Sequence, residues 1–230
     1  TVAKKVTVSF SLTKGYLRMS MLSELGHECM GCRMCGKESA HITWPLLGYF
    51  PSGAKILLIG QNPAEPKIRT ERDEFNALYK NNFDTTDPIS YLGWYAQWLQ
   101  KSSMVSSLEV FFGQGWFESG HIAITNAVRC RTRNNDRPTD IMIENCYRFS
   151  SPITEQYDHW IVMGGVARKQ LRLGETTKAP KILHFLEKDR YVLYMNHYAW
   201  RPPFGKDRSK EIKACKRFIE HAIDGRSFSG

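Results

Sequence analysis

No apolar run in this 230-residue chain approaches the roughly 18–20 residues that a membrane-spanning helix needs. The N-terminus also lacks the charged-then-apolar pattern of a secretory signal. These two absences set the expectation of an intracellular, cytoplasmic protein with no membrane partner. Acidic residues are in short supply. There are 23 Asp and Glu against 32 Lys and Arg, for a net charge of +9. A protein this basic is expected to meet a polyanion, with nucleic acid the leading candidate and a generically basic surface the plain alternative. No internal repeat and no low-complexity tract is present, which excludes solenoids and long linkers. Cysteines number only six, and Cys35 and Cys215 have no obvious partner. In a reducing compartment such cysteines argue for metal or cluster ligation rather than disulfides.

What the chain does have is core material. Apolar residues make up 42%, with twelve Phe, ten Tyr and six Trp. The length fits a single domain over residues 1–230, expected as a monomer. Within it, 1–50 is an N-terminal segment carrying a CxxC, and 65–88 is a polar, aperiodic expansion. Stretches of that length inside a compact domain are functional or disordered.

Four short apolar runs read as buried strands: Lys55–Gly60, His121–Asn126, His159–Gly164 and Tyr191–Asn196. Between and after them lie helical patterns at Ile89–Gln100, Pro138–Phe149, Gly165–Leu173 and Lys206–Ile223. Thr1–Leu12 alternates like a strand, and Tyr16–Gly26 suits a short helix. Strands alternating with helices predict an α/β three-layer sandwich, with a central four-stranded, mostly parallel sheet flanked by helices. Ligands of such sheets bind beyond the carboxyl ends of the strands. Here those ends are Gly60-Gln61-Asn62-Pro63, Asn126-Ala127-Val128-Arg129, Gly164-Gly165 and Asn196-His197-Tyr198. All carry Gly, Asn or His, and the topology predicts that they share one edge.

Four cysteines stand out by position. Cys29 and Cys32 form a CxxC, while Cys130 and Cys146, with fifteen residues between them, flank a basic, Asn- and Arg-rich loop. Four thiolates brought together hold a metal or an iron–sulfur cluster. The arginines of that loop, Arg129, Arg131, Arg133 and Arg137, read either as a solvated turn or as phosphate contacts, and their place beside the cysteines favours contacts to DNA.

In order and spacing, these motifs resemble the uracil-DNA glycosylase superfamily, most closely its iron–sulfur branch, family 4. The resemblance runs from about Cys29 to Phe218. It rests on the CxxC, KILLIG with its GxxPx loop, ITNxVxC, the cysteine fifteen residues on, IVMGG, and a late His after a strand. It implies a uracil-DNA glycosylase-like fold and a structural [4Fe–4S] cluster on Cys29, Cys32, Cys130 and Cys146. Cys35 competes for the N-terminal half, because Cys32–Cys35 is also CxxC. Zinc is the alternative metal.

The same resemblance implies roles at the strand ends. His197 would donate to the departing base, and Asn126 would read the base edge through its amide. Where the iron–sulfur branch has an acidic residue, this chain has Gln61, and its Asn62 instead matches the GxNPG pattern of the mismatch-specific and single-strand-selective branches. Asn62 is therefore expected to position water and Gln61 to contact the base, with Glu65 a reserve carboxylate. Phe83 is the expected base-stacking aromatic, with Phe75 and Tyr79 as competitors. Trp200 and Arg201, which replace the usual residues after the His, would wedge into the duplex or pack on its backbone.

The expected function is a monofunctional DNA glycosylase that flips out and excises a modified or damaged base. Gln61 and the 65–88 expansion point to a bulky modified pyrimidine of phage DNA and a role in defence. The alternatives are ordinary uracil excision in base-excision repair, and a module that binds modified DNA without cutting. A covalently attaching variant is disfavoured, because no KRRIH-like run is present.

Overall fold

A computed structural model describes residues 21–22, 24–25, 28–29, 32, 34, 48–62, 96–130, 132, 136–174, 179–186, 189–197 and 208–225. The strands are β1 Gly48–Tyr49, β2 Ile56–Gly60, β3 Ile122–Asn126, β4 His159–Met163, β5 Lys181–Phe185 and β6 Arg190–Met195. The helices are α1 Ser103–Phe112, α2 Asp140–Thr154, α3 Gly164–Gln170 and α4 Ser209–Asp224. Positions 21–22, 24–25, 28–29 and 96–101 are also helical.

The strands form one sheet in the order β1-β3-β2-β4-β6-β5. The inner four, β3, β2, β4 and β6, are mutually parallel. They are also the four strands read from the sequence, each within a residue or two of its expected bounds. Their burial explains their legibility. Ile56, Leu57, Leu58 and Ile59 are all buried, because helices cover both faces of the sheet. The sheet has six strands, not the expected four. The two additions, β1 and β5, pair antiparallel at opposite edges. Two-residue β1 is too short to show a period, and β5, exposed or half-buried throughout, lacks the apolar run that marks a central strand.

Alternate strand residues face two apolar layers. Leu57, Ile59, Ala123, Val162 and Val192 pack with Met142, Phe149 and Ile153 of α2 and with Val166 of α3. Ile56, Leu58, Ile122, Ile161 and Leu193 pack with Leu108 and Phe111 of α1 and with Cys215 and Phe218 of α4. Helix α1 has no counterpart in the sequence expectation. Its buried Val105, Leu108 and Phe111 follow helical spacing, but the segment is short and rich in serine.

Helix α2 starts where Pro138 and Thr139 direct. Thr139 is the N-cap, and its hydroxyl accepts from the Met142 N–H at 3.4 Å. Helix α4 ends at Gly225, which adopts the left-handed conformation, φ 70°, that glycine takes without strain. Leu22, Leu25 and Cys29 are buried in the α2 layer, and Asn145 of α2 donates to the Met34 carbonyl at 3.3 Å. These described residues of the N-terminal segment thus pack in the α2 layer. The expected strand at 1–12 and the 65–88 expansion lie outside the described residues.

Candidate active site and four-cysteine cluster

The parallel register aligns the strand ends. Gly60 is opposite Asn126, and Met163 is opposite Met195. Pairing between β2 and β3 continues into their loops. The Ala127 N–H donates to the Gly60 carbonyl and the Val128 N–H to the Gln61 carbonyl, both at 2.9 Å. This backbone zipper fixes Gln61 and Asn62 against the Asn126–Arg129 loop. Gly60 itself must be small, since a Cβ there would lie 2.8 Å from Asn126 Oδ1.

The Asn62 amide is held at both ends. Its Oδ1 accepts from Gln61 Nε2 at 3.1 Å, and its Nδ2 donates to Thr132 Oγ1 at 3.3 Å. The Thr132 hydroxyl in turn donates to the Asp136 carbonyl at 2.5 Å. The Gln61 side chain is therefore engaged with its neighbour, Asn62. Thr132, buried at the end of this chain, has no counterpart in the sequence expectation, because nothing in TRNND marks its hydroxyl as a buried partner.

His197 follows β6 and lies against the end of β4. Gly164, at φ 83°, makes room for it, since a Cβ there would sit 3.4 Å from the His197 Cβ. Burial, and then the positive charge of Arg208, hold its pKa below the ordinary histidine value. Strands β2 and β6 flank β4, so their axes lie about 10 Å apart. Asn62 and His197 thus follow strands on either side of β4, at the same edge of the sheet.

The turn carrying His197 is fastened from below. Buried Glu211 of α4 accepts from the Asn196 backbone N–H at 3.0 Å and from its Nδ2 at 2.7 Å. Its other oxygen accepts from Arg208 Nε at 2.5 Å, and Arg208 Nη2 donates to the Asn196 carbonyl at 3.3 Å. Neither Arg208 nor Glu211 stands out in the sequence, where both read as surface charges of an amphipathic helix.

The four cysteines come from three segments into one apolar layer. Cys29 and Cys146 are buried there, and Cys32 and Cys130 pack against the same cluster. The Cys32 N–H donates to the Cys29 carbonyl at 3.1 Å, closing the CxxC turn. All four are free thiols. Burial pushes the Cys29 thiol up to about 12, with Arg129 and Arg148 opposing that rise and Cys130 and Cys32 adding to it. The electrostatic influence of Cys32 and Cys130 on Cys29 reflects their closeness. Among the described residues, no three His, Cys, Asp or Glu side chains close on a point that would hold a single metal ion. By chemistry the donor set suits an iron–sulfur cluster: four thiols, an apolar surround and nearby guanidinium charge.

One expected contact is overturned. Arg129 is fully buried, so it does not offer its guanidinium to a phosphate. Its side chain donates instead to Thr125 Oγ1, to the Phe149 carbonyl at 3.4 Å and to Ser150 Oγ at 3.2 Å. Burial of this charge is tolerated because two hydroxyls and a carbonyl inside the layer receive its donors. Arg137 is exposed instead, and its Nη2 would lie 4.0 Å from a Cβ on Gly165, at the rim of the strand-end site. Phe83, Arg131, Arg133, Trp200, Arg201 and the competing Cys35 lie outside the described residues.

No helix among the described residues is long and apolar enough to cross a membrane. No model of a known protein family matches the chain, and no curated protein matches it.

Proposed function

We propose that the chain is a monofunctional DNA glycosylase, which flips a modified or damaged nucleotide from the duplex and hydrolyses its glycosidic bond. The supporting observation is the meeting of Gly60–Asn62, Asn126, Gly164 and His197 along the carboxyl edge of one parallel sheet.

The chemistry asks for a water at C1′ and a donor for the departing base. An amide carbonyl accepts two hydrogen bonds, so Asn62 Oδ1 can hold a water as well as Gln61. That water adds its oxygen to C1′ as the C1′–N bond breaks, the bond's electron pair leaves with the base, and the proton the water sheds passes to solvent, from which the released base takes one up. His197, kept neutral by burial, donates an N–H to the base oxygen where negative charge gathers. Asn126 offers a donor and an acceptor to the base edge, and Gln61 fixes Asn62 while bordering the same space. When bound, a [4Fe–4S] cluster on Cys29, Cys32, Cys130 and Cys146 supplies a crosslink among three chain segments. DNA is the partner, with the chain acting as a monomer.

The substrate we favour is a pyrimidine larger than uracil, such as the sugar-bearing hydroxymethyl pyrimidines of phage DNA, which places the activity in defence. Two features support this. The residue after Gly60 is an amide already used to hold Asn62, not a carboxylate. The polar 65–88 expansion suits sugar hydroxyls, and its unpaired groups would penalise a small bare base. The test is incubation of the protein with uracil-containing, hypoxanthine-containing and phage-modified DNA, followed by mass spectrometry of released bases. Release of the modified pyrimidine supports the reading. Release of uracil alone returns the chain to base-excision repair, and retention of intact duplex with no free base makes it a binding module.

A further inference from the structure

The conversion of Arg129 from an expected surface contact into a core residue calls for its own explanation. A guanidinium inside an apolar layer is costly unless its charge and its donors are both used. Its donors reach the two segments that carry the later cysteines. Arg129 immediately precedes Cys130. It donates to Ser150 Oγ and to the Phe149 carbonyl, one turn beyond Cys146 on α2. The Ser150 hydroxyl itself lies 3.3 Å from the Cys146 carbonyl and 3.4 Å from the Ala127 carbonyl. Buried Gln170 of α3 adds a donor to the Ala127 carbonyl and another to the Ile143 carbonyl, the latter at 3.1 Å. These bonds form a polar knot within otherwise apolar packing, joining the Cys130 loop to the Cys146 helix.

We propose that Arg129 is the internal brace and counter-charge of the four-cysteine site, setting the separation of Cys130 and Cys146 and offsetting the negative charge of the group they bind. This rests on the reading of those cysteines as cluster ligands. Outer partners of metal ligands orient them and tune the bound group in this way. Arg129 is a positioning residue, and it touches neither substrate nor reacting atoms.

The test compares the full-length wild-type chain with Arg129→Lys, Arg129→Met and Ser150→Ala, all purified without oxygen. The readouts are iron and sulfide per chain, the rate of iron loss to a chelator, and the reduction potential of the cluster. Arg129→Met loses iron roughly 10–100-fold faster than wild type. Its potential falls, because a positive charge that favoured the reduced state is gone. Arg129→Lys keeps the potential near wild type but loses iron faster, since it keeps the charge without the planar fork. Ser150→Ala loses iron faster at unchanged potential. If Arg129→Met does not fold, Lys and Ala still decide the matter: wild-type rates in both overturn the proposal. An unchanged potential in a folded Arg129→Met overturns the counter-charge role. An iron-free wild type overturns the cluster reading and this proposal with it, whereas iron in the wild type with unaffected variants overturns this proposal alone.

Discussion

Glu211 grips Asn196 twice, accepting from both its backbone N–H and its side-chain amide. The residue after Asn196 is His197, so a carboxylate on α4 sets the direction in which β6 delivers its histidine. Glu211 and Arg208 are themselves mostly buried, at 5% and 13% side-chain exposure. Glu211→Ala leaves Arg208 without that carboxylate and Asn196 without its acceptor. Loss of one member of a buried pair costs about 3–5 kcal/mol. Urea denaturation should register a loss of that order. Glu211→Gln, which retains an acceptor for Asn196, should lose less, and equal stability of all three proteins would show that the contact is incidental.

Base release should fail by steps at the strand ends. His197→Ala should lower kcat on the order of 10²–10³ with DNA affinity nearly intact, because the donor acts on charge present mainly in the transition state. Asn62→Ala should match it, and Gln61→Ala, which only frees Asn62 to turn, should be milder. Single-turnover kinetics with saturating enzyme separates these effects from binding. An active Asn62→Ala beside a dead Gln61→Ala would move the water-positioning role to residue 61.

Gly60→Ala probes the close approach of the two loops. Its new methyl would meet Asn126 Oδ1 at 2.8 Å and push that amide aside. A misplacement near 1 Å costs about 10² in rate. The expected result is a folded protein with kcat/KM down by that factor. A fully active Gly60→Ala would mean that Asn126 does not read the base.

Acid should destabilise the fold through two half-buried histidines. His197 is held below its ordinary pKa by burial and Arg208, and His159 by burial and the neighbouring His221. Unfolded, each takes up a proton near pH 6.5. Their contribution to stability is complete above that pH, falls as pH drops below it, and levels off beneath the depressed folded values. The urea midpoint should therefore be flat from about pH 8 to 7 and decline from about 6.5 downward. His159→Gln, away from the strand-end site, should shrink the decline. A midpoint that stays level through this range would contradict the depressed pKa of both imidazoles.

The proposed contact with DNA should be tested at Arg137, since Arg129 is internal. If Arg137 meets a phosphate, Arg137→Ala should weaken binding to all sequences alike and reduce the slope of log affinity against log salt by about 1. Titrations at several salt concentrations measure this directly. An unaltered slope would remove Arg137 from the interface.

The four inner strands were legible because burial on both faces leaves uninterrupted apolar runs such as Leu57-Leu58-Ile59. The sharing of one edge by residues 60–62, 126, 164 and 197 followed from that parallel order alone. The edge strands were not legible, since Lys181–Phe185 is exposed and half-buried by turns and carries no such signal. Arg129 misled for a physical reason. Sequence registers a charge, while its burial depends on Thr125 and Ser150 arriving from β3 and α2 to receive it. The same holds for Glu211, which meets Asn196 fifteen residues away, and for Thr132, whose partners are the Asn62 amide and a backbone carbonyl.

Amide-to-carbonyl bonds from Ala127 to Gly60 and from Val128 to Gln61 hold the two principal loops of the site together. Those bonds make no demand on the side chains at 61 and 62. A lineage can therefore exchange the chemistry displayed at these positions, carboxylate for amide or small for large, while the platform beneath keeps its shape. On the proposed function, base preference can then change by single substitutions that leave these two backbone bonds in place.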